Sequence, residues 1–200
     1  MNQSNVAMPG FSMIMKTTKP FSTPCNVHVY SDASFCSRTR TAVGGFLFLN
    51  DSCAALREDT SAIWGVVHTY CFCETSNIRA EFGALFQAMN KVAQIFSLPA
   101  DDTFIHHAPH VSLTLVTDCN AIVQLPGRRS RLEKRQFKSQ KTSMDLNNKD
   151  VYQTFFKMVD RFSPKIVWVK GHSPVTDRTE MHRNFHRVDK ATRQKLRSFS

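Results

Sequence analysis

The strongest constraint on this chain is the placement of four carboxylates, each beside a different predicted secondary structure element. Asp32 follows a strand-like run at 27–30, and Asp118 follows a second such run at 111–117. Glu81 lies near the start of an amphipathic helical pattern, and Asp189 lies in a basic helical segment near the C-terminus. Acids that folding brings together from separate elements repel one another, so they need a compensating cation. Because hard oxygen ligands suit Mg²⁺ or Mn²⁺, the pattern predicts a divalent metal site.

Hydrophobic periodicity predicts the order of the elements between these acids. Strands are predicted at 27–30, 42–49, 63–72, 111–117 and 165–169, with a polar turn at 34–41. Helices are predicted at about 78–96, at 120–125 with an end at Pro126-Gly127, at 149–162, and at about 183–196. The order favours an α/β fold with a five-stranded mixed sheet, its first three strands antiparallel and its later strands parallel, flanked by helices. Gly44-Gly45 in the second strand predicts a close approach of another backbone.

Length and composition indicate one folded domain at 25–200, preceded by an N-terminal arm or leader at 1–24. Hydrophobic residues make up 42% of the 200 residues, and there are sixteen Phe against seven Gly, which argues against disorder. The N-terminus lacks the pattern of a signal peptide, and no apolar run is long enough to span a bilayer. The six cysteines lack the spacing of a zinc site. We therefore expect an intracellular protein, cytoplasmic or nuclear and not secreted, with reduced cysteines.

The charge of the chain suggests its partner. The formal net charge is +10 and the sequence pI is about 9.6, which favours a polyanion, with nucleic acid the first candidate, although an unspecialised basic surface would give the same numbers. Residues 128–141 carry seven basic residues and one acid. This run is either a phosphate-binding surface or a solvated loop.

Five short motifs resemble ribonuclease H of the bacterial and retroviral type 1 family. In chain order they are Tyr30-Ser31-Asp32-Ala33-Ser34, Ser76-Asn77-Ile78-Arg79-Ala80-Glu81, Val116-Thr117-Asp118-Cys119-Asn120, Trp168-Val169-Lys170-Gly171-His172 and Asp189-Lys190-Ala191. Each motif alone is a weak signal, but their order and their local contexts match together. The resemblance covers about 26–193.

The resemblance implies an endonuclease that hydrolyses the RNA strand of RNA–DNA hybrids with two Mg²⁺ ions, or Mn²⁺, in each site. Asp32 would bridge the two ions, Glu81 and Asp118 would complete one site, and Asp189 would help to hold the other. His172 would assist proton transfer or product release, which suits an imidazole that titrates near neutrality.

The resemblance also implies the nucleic-acid contacts. Asn77 and Asn120 would contact 2′-hydroxyls, whose recognition distinguishes RNA from DNA. Ala33 stands where a glycine commonly allows contact through the backbone. The predicted basic contacts are Arg79, Arg128, Arg129, Arg131, Lys134, Arg135 and Lys170. The partner is an RNA–DNA hybrid, and an association with a reverse transcriptase is a further expectation.

Three departures from the family pattern leave alternatives open. An insertion at 176–180 makes Asp177 or Glu180 a competing metal ligand, and Ile78 replaces a polar residue. The enlarged connection at 97–110 carries three histidines that could bind a metal, although we expect a solvated loop there. The rival functions are another nuclease of this fold, such as a junction resolvase, and a non-catalytic nucleic-acid-binding module. The Trp168–His172 motif argues against the first rival, and the intact acidic set argues against the second.

Overall fold

The structure, a computed structural model, describes residues 25–50, 63–73, 75–96, 111–171 and 174–199, except for the side chain of Val175. The predicted arm at 1–24, the connection at 97–110 and His172 lie outside the described residues.

Five strands form one mixed sheet. They are β1 (Cys25–Cys36), β2 (Thr41–Asn50), β3 (Val67–Phe72), β4 (Val111–Thr117) and β5 (Lys165–Trp168). Their order across the sheet is β3-β2-β1-β4-β5. β1, β2 and β3 pair antiparallel, while β4 pairs parallel with β1 and β5 pairs parallel with β4. The predicted α/β fold with its mixed sheet is therefore confirmed.

In the part of the chain that the structure describes, four α-helices cover the two faces of this sheet. They are α1 (Asn77–Ile95), α2 (Asn120–Lys134), α3 (Lys149–Phe162) and α4 (Glu180–Arg197). The larger core cluster joins α1, α2 and α3 to one face, where Phe82, Leu125 and Phe155 are fully buried. The smaller cluster joins α4 to the other face through Phe185 and Val188. The alternation of side chains along each strand supplies both clusters, as the period of a β-strand requires.

The first strand is longer than predicted. β1 continues into the predicted turn at 34–41 and ends at Cys36. The turn itself occupies only 37–40, with Arg40 in the left-handed region at φ 53°. The reason is the pairing with β2, which runs unbroken from Val27 opposite Asn50 to Cys36 opposite Thr41. Asp32 therefore lies inside β1, although the parallel pairing with β4 ends earlier, at Tyr30 opposite Val116.

The second helix is also longer than predicted. Pro126 lies inside α2, which continues to Lys134 instead of ending at Pro126-Gly127. Proline removes one intrahelical hydrogen bond and disfavours a helix interior. Leu125 and Leu132 are both buried in the core, so burial of the following turns compensates for the lost bond.

Smaller differences concern β3 and α4. β3 begins at Val67, not at Ile63, because Gly65 adopts a positive φ of 71° and interrupts the strand after an isolated bridge between Trp64 and Phe48. α4 begins at Glu180, before the predicted start, because the Thr179 side chain caps the backbone N–H of His182.

The structure also bears on the expected absence of a membrane-spanning segment and on the expected reduced cysteines. Of the helices in the described ranges, none has the length and apolar character needed to cross a bilayer. None of the five described cysteines forms a disulfide with another described cysteine. Burial raises the pKa of Cys119 to about 11, so this thiol is a poor nucleophile at neutral pH.

Candidate active site

Three of the predicted acids meet just beyond the point where the parallel pairing of β1 with β4 ends. One carboxylate oxygen from each of Asp32, Glu81 and Asp118 lies within 4.8 Å of the other two. Asp32 comes from β1, Glu81 from the first turns of α1, and Asp118 directly follows β4. Since β1 and β4 are parallel and their pairing ends with Tyr30 opposite Val116, Asp32 and Asp118 each follow this last pair by two residues and lie on the same side of it. The convergence predicted from the sequence is therefore present for these three residues.

Two glycines in β2 allow the helices to come close to this edge. A Cβ on Gly44 would lie 2.8 Å from Cβ of Ala84 in α1, and a Cβ on Gly45 would lie 2.8 Å from Cγ2 of Thr192 in α4. Successive residues of a strand point to opposite faces, so one glycine serves each helix. Gly45 is also the β2 partner of Asp32. The predicted approach of another backbone is present at Gly44, where a Cβ would lie 3.3 Å from Cα of Ala84, whereas at Gly45 it is side chains of α4 that come close.

Burial and mutual repulsion perturb the acids. Burial, followed by the nearby charges of Asp118 and Asp189, raises the pKa of Asp32 to about 7, although hydrogen bonds from Thr192 and from the Ala33 backbone act in the opposite direction. Burial, followed by the charges of Asp32 and Asp118, raises the pKa of Glu81 well above its ordinary value. Both shifts follow from the cost of ionising buried carboxylates that lie close together without a cation beside them.

The donor set fits a hard divalent cation. Asp32 and Glu81 are only 6% and 7% exposed, so water does little to stabilise their charges. Oε2 of Glu81 is buried and has no hydrogen-bond partner among the described residues. A buried acceptor without a partner is costly, and a cation at this point would satisfy it. Oxygen-only ligands match the preference of Mg²⁺ and Mn²⁺.

Residues on either side of Asp118 fix its position. The Trp168 indole donates to the carbonyl oxygen of Asp118 at 3.2 Å, which ties the end of β4 to β5. A Cβ on Gly171 would lie 2.3 Å from Oδ2 of Asp118, so a larger residue at this point of the predicted Trp168–His172 motif would displace the Asp118 carboxylate.

Asp189 lies beside the three acids and not among them. It is the i−4 ion-pair partner of Arg193, and Nδ1 of His186 lies 3.4 Å from its Oδ2. Asp189 and Asp118 line one cleft, together with Lys170, Arg178 and His182. Its charge contributes to the raised pKa of Asp32, which places it within electrostatic range of the group.

The two competing acids lie elsewhere. Asp177 is exposed in a 3-10 turn at Val175–Asp177 and accepts a hydrogen bond from Thr176 Oγ1 at 2.9 Å. Glu180 is exposed in the first turn of α4. Within the described residues neither belongs to the acid group, so the structure does not bring them to the metal site that the insertion suggested.

The predicted contacts to the 2′-hydroxyls lie near the acids in the chain. Asn77 and Asn120 are exposed and are the first residues of α1 and α2. Ala33 follows Asp32 in β1 and is 9% exposed. Arg79 is half-buried and forms an ion pair with Asp150 of α3, and its guanidinium also donates to the carbonyl of Asn147 at 3.3 Å.

The predicted basic contacts fall into two kinds. Arg129 forms ion pairs with Glu133 and Asp160, and its guanidinium lies 5.0 Å above the centre of the Phe156 ring, so it fastens α2 to α3. The others are half-buried or exposed: Arg128, Arg131, Lys134, Arg135 and Lys170. The run 128–141 is thus helical in its first half, where the charges lie on an ordered surface.

Sequence reasoning missed the residues that support the acids. Thr192 is fully buried and contacts Asp32, and Arg193 pairs with Asp189. The signal that could have found them is spacing, since positions three and four after Asp189 share its helical face.

Comparisons with known proteins identify the family and the fold of this chain. A sequence model of the RNase H family matches residues 24–197. The solved structure of LC9-RNase H1, a type 1 RNase H with the type 2 active-site motif, is similar at a TM-score of 0.58 and 17% identity, over 88% of this chain and 74% of that chain. A foamy viral protease-reverse transcriptase in complex with dsDNA is similar at a TM-score of 0.55 and 11% identity, over 88% of this chain and 96% of that one. No curated protein has a significantly similar sequence.

Proposed function

The chain belongs to the ribonuclease H family, and from that premise we propose that it is an endonuclease that hydrolyses the RNA strand of RNA–DNA hybrids. The observation that carries the proposal is the group of Asp32, Glu81 and Asp118, whose oxygens lie within 4.8 Å of one another. Clustered buried acids destabilise a fold unless a cation neutralises them, so their retention favours a metal-dependent role.

The acids would hold two Mg²⁺ ions, with Mn²⁺ as a substitute. Asp32 would contribute to both positions, Glu81 and Asp118 would complete one, and Asp189 would support the second. When bound, such ions activate the attacking water and stabilise the charge that develops on the leaving oxygen.

The chain's own residues supply the positioning. Thr192 and the Ala33 backbone bond to Asp32, the Trp168 indole holds the Asp118 backbone, and Arg193 pairs with Asp189. Gly171 carries no side chain, which leaves Oδ2 of Asp118 accessible. His172 directly follows Gly171 in the sequence, and we assign it the proton-transfer role.

Substrate recognition would use both amides and cations. Asn77 and Asn120 are exposed at helix N-termini and can both donate to and accept from 2′-hydroxyls. Arg131, Lys134 and Arg135 are exposed near the end of α2 and would contact phosphates, with affinity that falls as salt increases. Arg129 is paired on α3, so we assign it to holding this surface in place. An association with a reverse transcriptase stays a prediction.

The test is a cleavage assay on matched RNA–DNA hybrid, double-stranded RNA and double-stranded DNA, with Mg²⁺ and with EDTA. We expect cutting of the RNA strand of the hybrid alone, and only with Mg²⁺. Asp32→Asn and Asp118→Asn should each lower the rate by more than about 100-fold while hybrid binding persists. Asp177→Asn is the matched control, because it neutralises an exposed acid outside the group, and it should cut normally.

Each alternative has its own outcome in this assay. Equal cutting of all three duplexes would refute the specificity for hybrids. Binding of the hybrid without cutting would favour a non-catalytic binding module, and loss of activity in Asp177→Asn would show that the inserted acid is a ligand.

A further inference from the structure

The hydroxyl of Thr192 connects α4 to the acid group across 160 positions of sequence. Its Oγ1 lies 3.1 Å from Oδ2 of Asp32, 3.0 Å from the carbonyl oxygen of Asp189 and 3.0 Å from Oγ of Ser34. Thr192 is fully buried, so water does not compete for these bonds.

A threonine has one proton to donate, which limits how these contacts can form. A carboxylate is a stronger acceptor than a carbonyl oxygen, so the proton goes to Asp32 when that residue is ionised. Ser34 can then donate its own proton to Oγ1 of Thr192. The result is a directed chain of hydrogen bonds from Ser34 through Thr192 to one oxygen of Asp32.

Packing holds the hydroxyl in place. Cγ2 of Thr192 lies over Gly45, where a Cβ would come within 2.8 Å of it, and Gly45 is the β2 partner of Asp32. Thr192 is β-branched, so its methyl group and its hydroxyl are fixed relative to each other. The methyl group packs on Gly45 of β2, and the hydroxyl contacts Asp32 of β1.

We propose that Thr192 is a positioning residue that orients the Asp32 carboxylate for divalent metal binding, through the hydrogen bond to Oδ2. The inference rests on the proposed function, since it names what sets the geometry of the same site. Partners of ligating carboxylates fix their orientation, and their loss commonly weakens metal binding about 10–100-fold.

Two substitutions at this position separate the hydroxyl from the methyl group. Thr192→Val keeps the packing on Gly45 and removes the hydroxyl, whereas Thr192→Ser keeps the hydroxyl and removes the methyl. We expect Thr192→Val to weaken Mn²⁺ binding by about 10-fold or more in calorimetric titration, and Thr192→Ser to stay within about 3-fold of wild type. In thermal unfolding without metal the order should be reversed. Thr192→Ser should lose more stability than Thr192→Val, because only Thr192→Ser removes the buried methyl group.

Ser34→Ala provides a second variant that leaves Thr192 intact. It removes only the outer donor, so we expect a smaller loss of Mn²⁺ affinity than in Thr192→Val. In cleavage assays, Thr192→Val should lower kcat and leave KM for the hybrid within about 3-fold, because substrate contacts are unchanged.

The outcomes distinguish this inference from the proposed function. Wild-type protein that binds Mn²⁺ no more tightly than Thr192→Val would overturn the positioning role, even if it cleaves hybrids. A Mn²⁺ affinity that follows thermal stability, with Thr192→Ser weaker than Thr192→Val, would also overturn it. Wild-type protein that binds Mn²⁺ without cleaving any duplex would refute the proposed function and leave the positioning role standing.

Discussion

Gly45→Ala should loosen the contact between α4 and the sheet. The new Cβ would lie 2.8 Å from Cγ2 of Thr192 and 3.2 Å from Cγ1 of Val188, so α4 must shift. Overpacking of this kind costs about 1–3 kcal/mol, and the lower entropy of the unfolded chain returns about 0.4–1 kcal/mol. We expect a net loss of about 1–2 kcal/mol, which lowers Tm by about 2–8 °C in a domain of this size.

The assay is thermal unfolding followed by circular dichroism, with Gly127→Ala as the matched control. Gly127 lies inside α2, and a Cβ there would meet nothing within 4 Å. The same chemical change should therefore stabilise the protein by about 0.5–1 kcal/mol, as expected for Gly to Ala in a helix. A Gly45→Ala protein that melts at or above the wild-type temperature would refute the reasoning that this glycine is required for the approach of α4.

Three further predictions follow from the perturbed acids, the helix clamp and a helix end. The folded protein binds the Asp32 proton more tightly than the unfolded chain, so metal-free stability should fall as pH rises from the ordinary pKa of 3.8 to the raised pKa of about 7. In urea titrations this fall in the free energy of unfolding should be smaller in Asp32→Asn. An equal fall in both proteins would contradict the raised pKa of Asp32. Asp160→Asn removes a partly exposed ion pair with Arg129, so it should cost at most about 1 kcal/mol of stability, and less at high salt. An undiminished cost in 1 M NaCl would argue against an ion-pair origin. Ser163 ends α3 at φ 43°, so Ser163→Gly should raise the free energy of unfolding by about 1 kcal/mol, and a loss in chemical denaturation would show that the serine side chain contributes more than this strain.

The elements that the sequence predicts well are those with a local signal. Strand β4 and helix α3 have clear periodicity and clear ends, and both begin and end where expected. β1 and α2 were predicted too short, because pairing with β2 and burial of Leu132 are tertiary effects that override the local turn signal at 34–41 and the break at Pro126.

The candidate site likewise has features that the sequence predicts and features that depend on tertiary packing. The order of Asp32, Glu81 and Asp118 relative to their elements was sufficient to predict their convergence, because the parallel pairing of β1 with β4 brings Asp32 and Asp118 to the same side of its last pair. The partners of these acids could not be predicted in the same way. The bond from Thr192 to Asp32 depends on how closely α4 approaches β2, which is a property of packing at Gly45.

The charge pattern of the sequence predicts a basic surface, but it does not predict which basic residues pair with acidic residues. The sequence predicts nucleic-acid contacts for Arg79 and Arg129 alike, and in the structure each has an acidic partner on α3, Asp150 and Asp160. No periodicity in the sequence marks such pairs, since they join residues 71 and 31 positions apart.

The central claim is that Asp32, Glu81 and Asp118 together bind divalent cations, and calorimetric titration of the intact protein with Mn²⁺ at pH 8 tests it most directly. The account predicts saturable binding to the wild-type protein and at least about a 10-fold loss of affinity in Glu81→Gln. This substitution removes the charge from a buried carboxylate oxygen that has no hydrogen-bond partner among the described residues. Wild-type protein that takes up no Mn²⁺, or a Glu81→Gln protein that binds as tightly, would contradict it.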